Sequence, residues 1–154
     1  MSVETNLDGL PLETLKQIVS DPEQVQRQLM AVLRTLRSED EEQRAWASDC
    51  LQQVAEPPLE FGAELAALCM DDCEPLADWA CRLLGRIGGN ASPWQNHLAE
   101  ALREHPAMVV RQSAAAALGK IPELSVATRE ALCRAANSSD PRLKRLATQS
   151  LAED

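Results

Sequence analysis

Apolar residues recur along the chain at the three- and four-residue spacing of an amphipathic helix, in eight segments that proline, glycine and small polar residues separate. The segments come in pairs. We therefore predict paired helices at about residues 22–37 and 40–54, 58–70 and 75–87, 92–104 and 107–120, and 124–136 and 140–153. A shorter helix near residues 11–19, opened by Pro11, precedes them as a cap.

Two of the first helices carry start signals. The run Asp-Pro-Glu-Gln at 21–24 and the run Ser-Pro-Trp-Gln at 92–95 each supply an N-cap residue, a proline at the first helical position and a glutamine at the third. We therefore expect helices to begin at residues 22 and 93.

The second helices repeat at a fixed interval. The motif Leu-Gly-Arg-Ile at 84–87 recurs as Leu-Gly-Lys-Ile at 118–121, and the same register falls on Leu51 and Leu151, at intervals of 33, 34 and 33 residues. A fixed period of this length is typical of stacked-repeat proteins, in which one helix pair cannot bury its apolar stripe alone. We predict an all-α superhelix, an α-solenoid of about four helix pairs, that forms a single domain over 1–154. Its cap is 1–20 and its repeats are about 21–55, 56–88, 89–122 and 123–154.

Aligned positions in the four second helices differ in character. One position is alanine in every copy, which lets helix backbones approach closely: Ala47, Ala80, Ala114 and Ala147. The preceding position holds Trp46, Trp79, Ser113 and Leu146. It lies about 100° to one side of the alanine stripe, so we expect the two tryptophans to fill spaces between repeats. Trp94, at the start of a first helix, is expected to be partly exposed.

Residues 110–121, Val-Arg-Gln-Ser-Ala-Ala-Ala-Ala-Leu-Gly-Lys-Ile, resemble the second helix of HEAT repeats, in particular the compact HEAT-like repeats of bacterial proteins. The preceding loops, His105-Pro106 and Asp140-Pro141, resemble the Asp-Pro turn of that family. The resemblance covers roughly residues 22–153. It implies a HEAT-like solenoid whose second helices line a concave surface that binds another protein or a peptide segment.

On that resemblance, two columns of the second helices form the floor of the concave face. Their members are Ala45, Asp78, Gln112 and Arg145, and then Asp49, Arg82, Ala116 and Gln149. The six polar residues among them are the expected partner-binding residues. A third, half-exposed column holds Arg44, Arg111 and Lys144, which either brace loop acids of adjacent repeats, as is common in the family, or contact the partner.

Charge narrows the classes of partner. The net charge of −9 disfavours a protein whose affinity comes from neutralising phosphates. Residues 1–77 hold 16 acids and 5 bases and residues 78–154 hold 8 acids and 10 bases, so the sequence predicts a gradient from an acidic to a slightly basic end. The sequence has no signal peptide and no long apolar run, which favours a cytoplasmic protein without a membrane partner.

Cysteine spacing does not predict a metal site. Cys69, Cys73 and Cys81 lie within thirteen residues, but they include no Cys-x-x-Cys pair and have no histidine close by. Cys50 and Cys69 align with apolar core positions, so we expect them to be buried, and Cys73, in a turn, to react with thiol reagents. We expect no cofactor and no small-molecule substrate.

Enzymes built on HEAT-like repeats are the alternative class. Those resembling deoxyhypusine hydroxylase bind iron through His-Glu pairs, whereas the only histidines here, His97 and His105, are not followed by glutamate. The alternative that stays open is a subunit or chaperone-like partner of a HEAT-repeat enzyme such as a bilin lyase. A nucleic-acid-binding protein, similar to the HEAT-like DNA glycosylases, fits the acidic composition less well. We predict a non-catalytic protein-binding or scaffold module.

Overall fold

The computed structural model describes residues 9–152, and within this range the chain forms α-helices, short 3₁₀ segments and no β-strand. Its internal contacts divide the chain between Glu56 and Pro57 into two compact units, which are described separately. The all-α class predicted from the sequence is therefore confirmed for the described part of the chain.

The N-terminal unit contains the predicted cap and the first helix pair. Its helices are α1 (Leu12–Ile18), α2 (Pro22–Arg27), α3 (Leu29–Thr35) and α4 (Glu41–Gln52). Helix α4 packs against α1 and α3, and the core between them contains fully buried leucines, valines and a cysteine: Leu15, Val25, Leu29, Val32, Leu33, Cys50, Leu51 and Val54.

The first predicted helix, 22–37, is broken in two. Gln28 leaves helical geometry (φ −110°, ψ 24°), and its amide N–H is shared between the carbonyls of Gln24 and Val25. The chain thus changes direction without losing the hydrogen bond at that point. The predicted N-cap holds, because the Asp21 carboxylate accepts a hydrogen bond from the Gln24 amide at 3.4 Å.

The C-terminal unit contains three helix pairs in two layers. The first helices are α5 (Gly62–Leu68), α7 (Gln95–Glu104) and α9 (Val126–Ala135). The second helices are α6 (Glu74–Ile87), α8 (Met108–Leu118) and α10 (Pro141–Ala152). Helix α8 packs against both α6 and α10, so the second helices lie side by side as stacked repeats require.

Helix α7 does not begin where the sequence predicted. Residues Gly88–Trp94 form a 3₁₀ segment and α7 begins at Gln95, so the expected N-cap at Ser92 is wrong. The Gln95 side-chain amide donates to the Ser92 hydroxyl at 3.3 Å and also to the Glu123 carbonyl of the next repeat at 3.1 Å. Its oxygen accepts from the Ser125 amide at 2.8 Å. The residue expected to complete a cap therefore joins two repeats.

The glycine of the repeated Leu-Gly-Arg/Lys-Ile motif lies where neighbouring second helices come closest. A β-carbon at Gly85 would lie 3.2 Å from the α-carbon of Ala117, and one at Gly119 would lie 2.6 Å from the hydroxyl of Ser150. Ala117 and Ser150 are one repeat apart, as are the two glycines. The motif therefore sets the spacing of α6, α8 and α10.

The predicted core columns are confirmed. The four alanines of the close-packing column, Ala47, Ala80, Ala114 and Ala147, are completely buried, as are Cys50 and Cys69. Of the three tryptophans, Trp79 is 5% exposed, Trp46 is half-buried, and Trp94 is half-buried and packs against Gly62, where a β-carbon would overlap its ring. The partial exposure expected of Trp94 is also confirmed.

Candidate functional site

A groove of about 380 Å³ lies along the second helices of the C-terminal unit, between α6, α8 and α10. Four cationic side chains line it: Arg82, Arg86, Lys120 and Arg142. No carboxylate occurs among the described residues of its wall. The groove is therefore a positively charged feature of a chain whose net charge is −9.

The rest of the wall is small or apolar: Gly85, Val109, Ala116, Ala117 and Leu146, with Gln112 and Ser113. The position of Ser113 explains the space. In the column that it shares with Trp46 and Trp79, serine replaces a large aromatic side chain, which leaves room beside α8. The groove thus lies where this column changes from a large aromatic residue to serine.

Two of the arginines are held over an aromatic ring. The guanidinium carbons of Arg82 and Arg86 lie 5.0 and 5.3 Å from the centre of the Trp79 ring, within the range of cation–π attraction. Partial burial, and then the neighbouring positive charge of Arg82, lower the pKa of Arg86 from its ordinary value. The buried tryptophan thus orders two like charges at one end of the groove.

Asp78 is buried, and the expectation that it faces outward is wrong. It is 9% exposed and accepts hydrogen bonds from the Arg82 side chain, at 3.2 Å, and from the Ser113 hydroxyl of the next repeat. Because a buried carboxylate needs partners, its role is to connect α6 with α8 beside the groove. It is not available as a contact residue.

Gln112, another predicted floor residue, lines the groove and bonds across to the next repeat. Its side-chain amide donates to the Asp140 carboxylate at 2.9 Å. That carboxylate also accepts from the Leu143 amide at 2.8 Å, at the start of α10. These two hydrogen bonds hold the pKa of Asp140 below its ordinary value.

Of the remaining floor residues, only Ala116 lines the groove. Arg145 and Gln149 are exposed on α10, and Ala116 is half-buried in the groove. Ala45 and Asp49 are exposed on α4 in the N-terminal unit.

Two of the three members of the basic column bond to carbonyls of their own loops. The Arg44 side chain donates to the Ser38 carbonyl at 2.7 Å, and the Arg111 side chain donates to the His105 carbonyl at 2.6 Å. Both acceptors lie six residues earlier, in the loop of the same repeat, rather than on acids of an adjacent repeat as the family resemblance implied. Lys144, the third member, is exposed and has no side-chain partner among the described residues.

His105 is a connection between repeats that the sequence did not indicate. It is 2% exposed, its Nδ1 accepts a hydrogen bond from the Ala107 amide at 3.0 Å, and its Nε2 lies 3.0 Å from the Asp71 carbonyl, 34 residues earlier. The accepting Nδ1 makes Nε2 the donor. Because Arg111 bonds to the carbonyl of the same histidine, the loops of repeats two and three are joined.

Sequence reasoning missed three of the four groove cations, namely Arg86, Lys120 and Arg142. A signal was present, because Arg86 and Lys120 occupy the same place in the repeated Leu-Gly-Arg/Lys-Ile motif. The repeat pattern by itself indicates only that this motif ends the packing helix.

A second hollow, of about 540 Å³, lies at the loop end of repeats three and four. Its wall includes Arg103, Arg111 and Arg134, but also Glu104. Arg111 is already bonded to the His105 carbonyl.

Cys133 is the exposed thiol, whereas Cys73 is only half-buried at the start of α6. The helical period could have revealed this, because Ala131, Leu132 and Ala135 form the buried stripe of α9 and Cys133 lies away from it. In the described part of the chain, no cluster of three or more histidine, cysteine, aspartate or glutamate side chains could hold a metal ion. Within residues 9–152, no helix is long and apolar enough to cross a membrane.

Paired helices at a period of 33 and 34 residues, with second helices packed side by side through a glycine and an alanine column, define a helical-repeat protein. A family model described as HEAT repeats matches residues 63–152, more than half of the chain. The chain therefore belongs to the HEAT-repeat family, whose members generally mediate protein–protein interactions and are typically non-catalytic scaffolds. The matched range begins in α5 and contains the whole groove. No curated protein matches the chain significantly.

Proposed function

We propose that the protein is a non-catalytic scaffold module that binds another protein, or a peptide segment of one, along the second helices α6, α8 and α10. The observation that carries the proposal is the groove between these helices, which combines four cations with a small, apolar wall. Its volume of about 380 Å³ is at the lower end of the range for ligand-binding pockets and suits a side chain better than a cofactor.

The site consists of groove residues and of their exposed neighbours on α10. Arg82 and Gln112 contribute from α6 and α8, and Arg145 and Gln149 add polar groups on α10. Lys144 is proposed as a partner contact, whereas Arg44 and Arg111 are proposed as loop braces because their side chains bond to loop carbonyls. Asp49 belongs to the N-terminal unit, and its part in binding is a separate proposal.

Site-specific photo-crosslinking in cells tests the face. A photoreactive phenylalanine analogue replaces Gln112 in the groove wall, and in a matched control it replaces Glu130, an exposed residue on the first helix α9. The crosslinked protein is identified by mass spectrometry, purified, and its affinity measured by calorimetry.

We expect one protein to crosslink from position 112 and not from position 130, and to bind the purified wild type. A partner that crosslinks equally from both positions, or only from position 130, would remove the groove face from consideration. A crosslinked protein that shows no measurable affinity for the wild type after purification would also remove the groove face from consideration.

A further inference from the structure

The groove is positively charged and its neighbouring carboxylates are already engaged. Asp78 accepts from Arg82 and Ser113, and Asp140 accepts from Gln112 and from a backbone amide. Asp78 offsets Arg82, and Asp140 lies within the electrostatic influence of Arg142, so the four cations of the wall face these two neighbouring carboxylates and the groove keeps a net positive charge. An anionic ligand therefore complements the wall.

The geometry of the cations favours carboxylates. Arg82 and Arg86 are four residues apart on α6, so their like charges repel each other. Asp78 already relieves part of that repulsion at Arg82, and an anion of a ligand would relieve more of it. Guanidinium groups fixed over the Trp79 ring present planar donor pairs, which match the two oxygens of a carboxylate.

The groove also has an apolar component that a purely ionic ligand would leave unused. Val109, Ala116 and Leu146 contribute apolar wall, and Ser113 is a small residue in a column that holds tryptophan in repeats one and two. Burying an aliphatic side chain there should strengthen binding by about tenfold or more.

We infer that the partner segment is acidic and carries one aliphatic side chain between carboxylates, with the aliphatic group in the groove and the carboxylates on Arg82, Arg86, Lys120 and Arg142. This inference rests on the proposed function and specifies its partner. A nucleic acid fits less well, because the one aromatic residue of this region, Trp79, is 5% exposed and covered by arginines, so it offers no stacking surface for bases.

The binding experiment uses a fluorescein-labelled peptide, Asp-Glu-Asp-Leu-Glu-Asp-Glu, and fluorescence anisotropy with the full-length protein. One control peptide has every acid replaced by its amide, a second has alanine in place of leucine, and a fluorescein-labelled oligothymidylate serves as a generic polyanion. We expect the acidic leucine peptide to bind, with an affinity that falls as salt rises, and each control ligand to bind at least about tenfold more weakly.

Two protein variants locate the binding. Lys120→Glu with Arg142→Glu reverses two exposed groove charges, and Arg103→Glu with Arg134→Glu makes the same change in net charge at exposed residues outside the groove. We expect the first pair of substitutions to lower the affinity for the peptide at least about tenfold, and the second pair to lower it less than about threefold. Ala116→Phe, which fills the groove without changing charge, should also weaken the peptide at least about tenfold; circular dichroism confirms that each variant is folded.

Equal binding by the amide peptide, equal or tighter binding by oligothymidylate, or equal losses in the two charge-reversed variants would overturn the inference. Self-association of the protein without peptide would also overturn the inference if the groove variant abolishes it. Sedimentation measures this self-association, and the occupant of the groove would then be a second copy of the chain. If the peptide fails but Ala116→Phe abolishes binding of the crosslinked protein, the inference fails and the proposed function stands. If Ala116→Phe changes the affinity for neither the peptide nor the crosslinked protein, both the inference and the proposed function fail.

Discussion

The hydroxyl of Ser113 donates a hydrogen bond to the carboxylate of Asp78, one repeat earlier in the chain. The same carboxylate accepts from the Arg82 side chain at 3.2 Å. One buried acid thus connects two second helices and fixes one of the groove arginines.

Asp78→Ala should therefore destabilise the protein more than Ser113→Ala. Removing the acid deprives both donors of their acceptor and should lower the free energy of unfolding by about 1–3 kcal/mol, whereas Ser113→Ala leaves Arg82 in place and should cost about 1 kcal/mol or less. Urea unfolding followed by circular dichroism measures both, and the double variant gives the coupling energy. Additive losses would show that the two residues do not interact.

The close approach at Gly119 gives a steric prediction. A β-carbon there would lie 2.6 Å from the Ser150 hydroxyl, which is buried and held by its hydrogen bond to the Ala115 carbonyl at 2.7 Å, so Gly119→Ala should cost about 1–3 kcal/mol. Gly85→Ala should cost less, because its nearest neighbour would lie at 3.2 Å, which is tight but does not overlap. Gly89→Ala is the matched control, since its nearest neighbour would lie at an ordinary 3.5 Å. Thermal melting should rank the three variants in this order. A Gly119→Ala variant as stable as Gly89→Ala would contradict the packing of α8 on α10.

The thiols should fall into reactive and protected classes. Cys133 is exposed and should react first with a thiol reagent, followed by the half-buried Cys73, while Cys50, Cys69 and Cys81 should react only on unfolding. Burial, and then the charge of Asp49, raise the pKa of Cys50 to about 11, so at pH 8 about one Cys50 thiol in a thousand is ionised.

Reaction with and without urea, with modified peptides mapped by mass spectrometry, checks this order. Rapid native modification of Cys50 would mean that the core of the N-terminal unit opens.

Asp140 gives a pH prediction. Its pKa in the folded protein lies below the ordinary value of 3.8, chiefly because the Leu143 amide donates to it and then because Gln112 does. The carboxylate therefore contributes its full stabilisation above pH 3.8 and loses it as the pH falls through the folded-state pKa. The decrease in the free energy of unfolding caused by Asp140→Ala should be constant from about pH 7 to 5 and become smaller below about pH 4.

Urea titrations across that range measure the effect. Asp72→Ala, at an exposed loop acid, is the control and should show no such loss. An undiminished effect of Asp140→Ala well below pH 4 would exclude a role for the charge.

The buried columns of the repeats could be predicted from the sequence because burial follows helical period. Alanine at positions 47, 80, 114 and 147 and the packing of the Leu-Gly-Arg/Lys-Ile helix ends required only that spacing. The partners of the polar residues could not be predicted this way. Whether Asp78 faces solvent or Ser113 depends on how closely α6 and α8 approach, and that distance is set by Gly85 and its contact with Ala117.

The boundaries of individual helices were also beyond the sequence pattern. The Ser-Pro-Trp-Gln run contains every element of a helix start, yet Gln95 bonds to Glu123 and Ser125 of the following repeat. The hydrogen bonds of Gln95 to the following repeat thus accompany a helix start that the Ser-Pro-Trp-Gln run alone does not predict. In the same way, the helical period predicts the outward face of the second helices but not the groove on that face. The groove cannot be predicted from one helix because side chains of three helices form it together.

The serine at position 113 has a thermodynamic consequence. A tryptophan there would bury on the order of 150–250 Å², and the folded protein lacks that contribution to its stability. A molecule that occupies the open space only in the folded state would supply part of it and would raise the melting temperature by an amount that grows with the logarithm of its concentration over its dissociation constant. Thermal shift therefore offers a way to rank candidate ligands of this protein before any natural partner is identified.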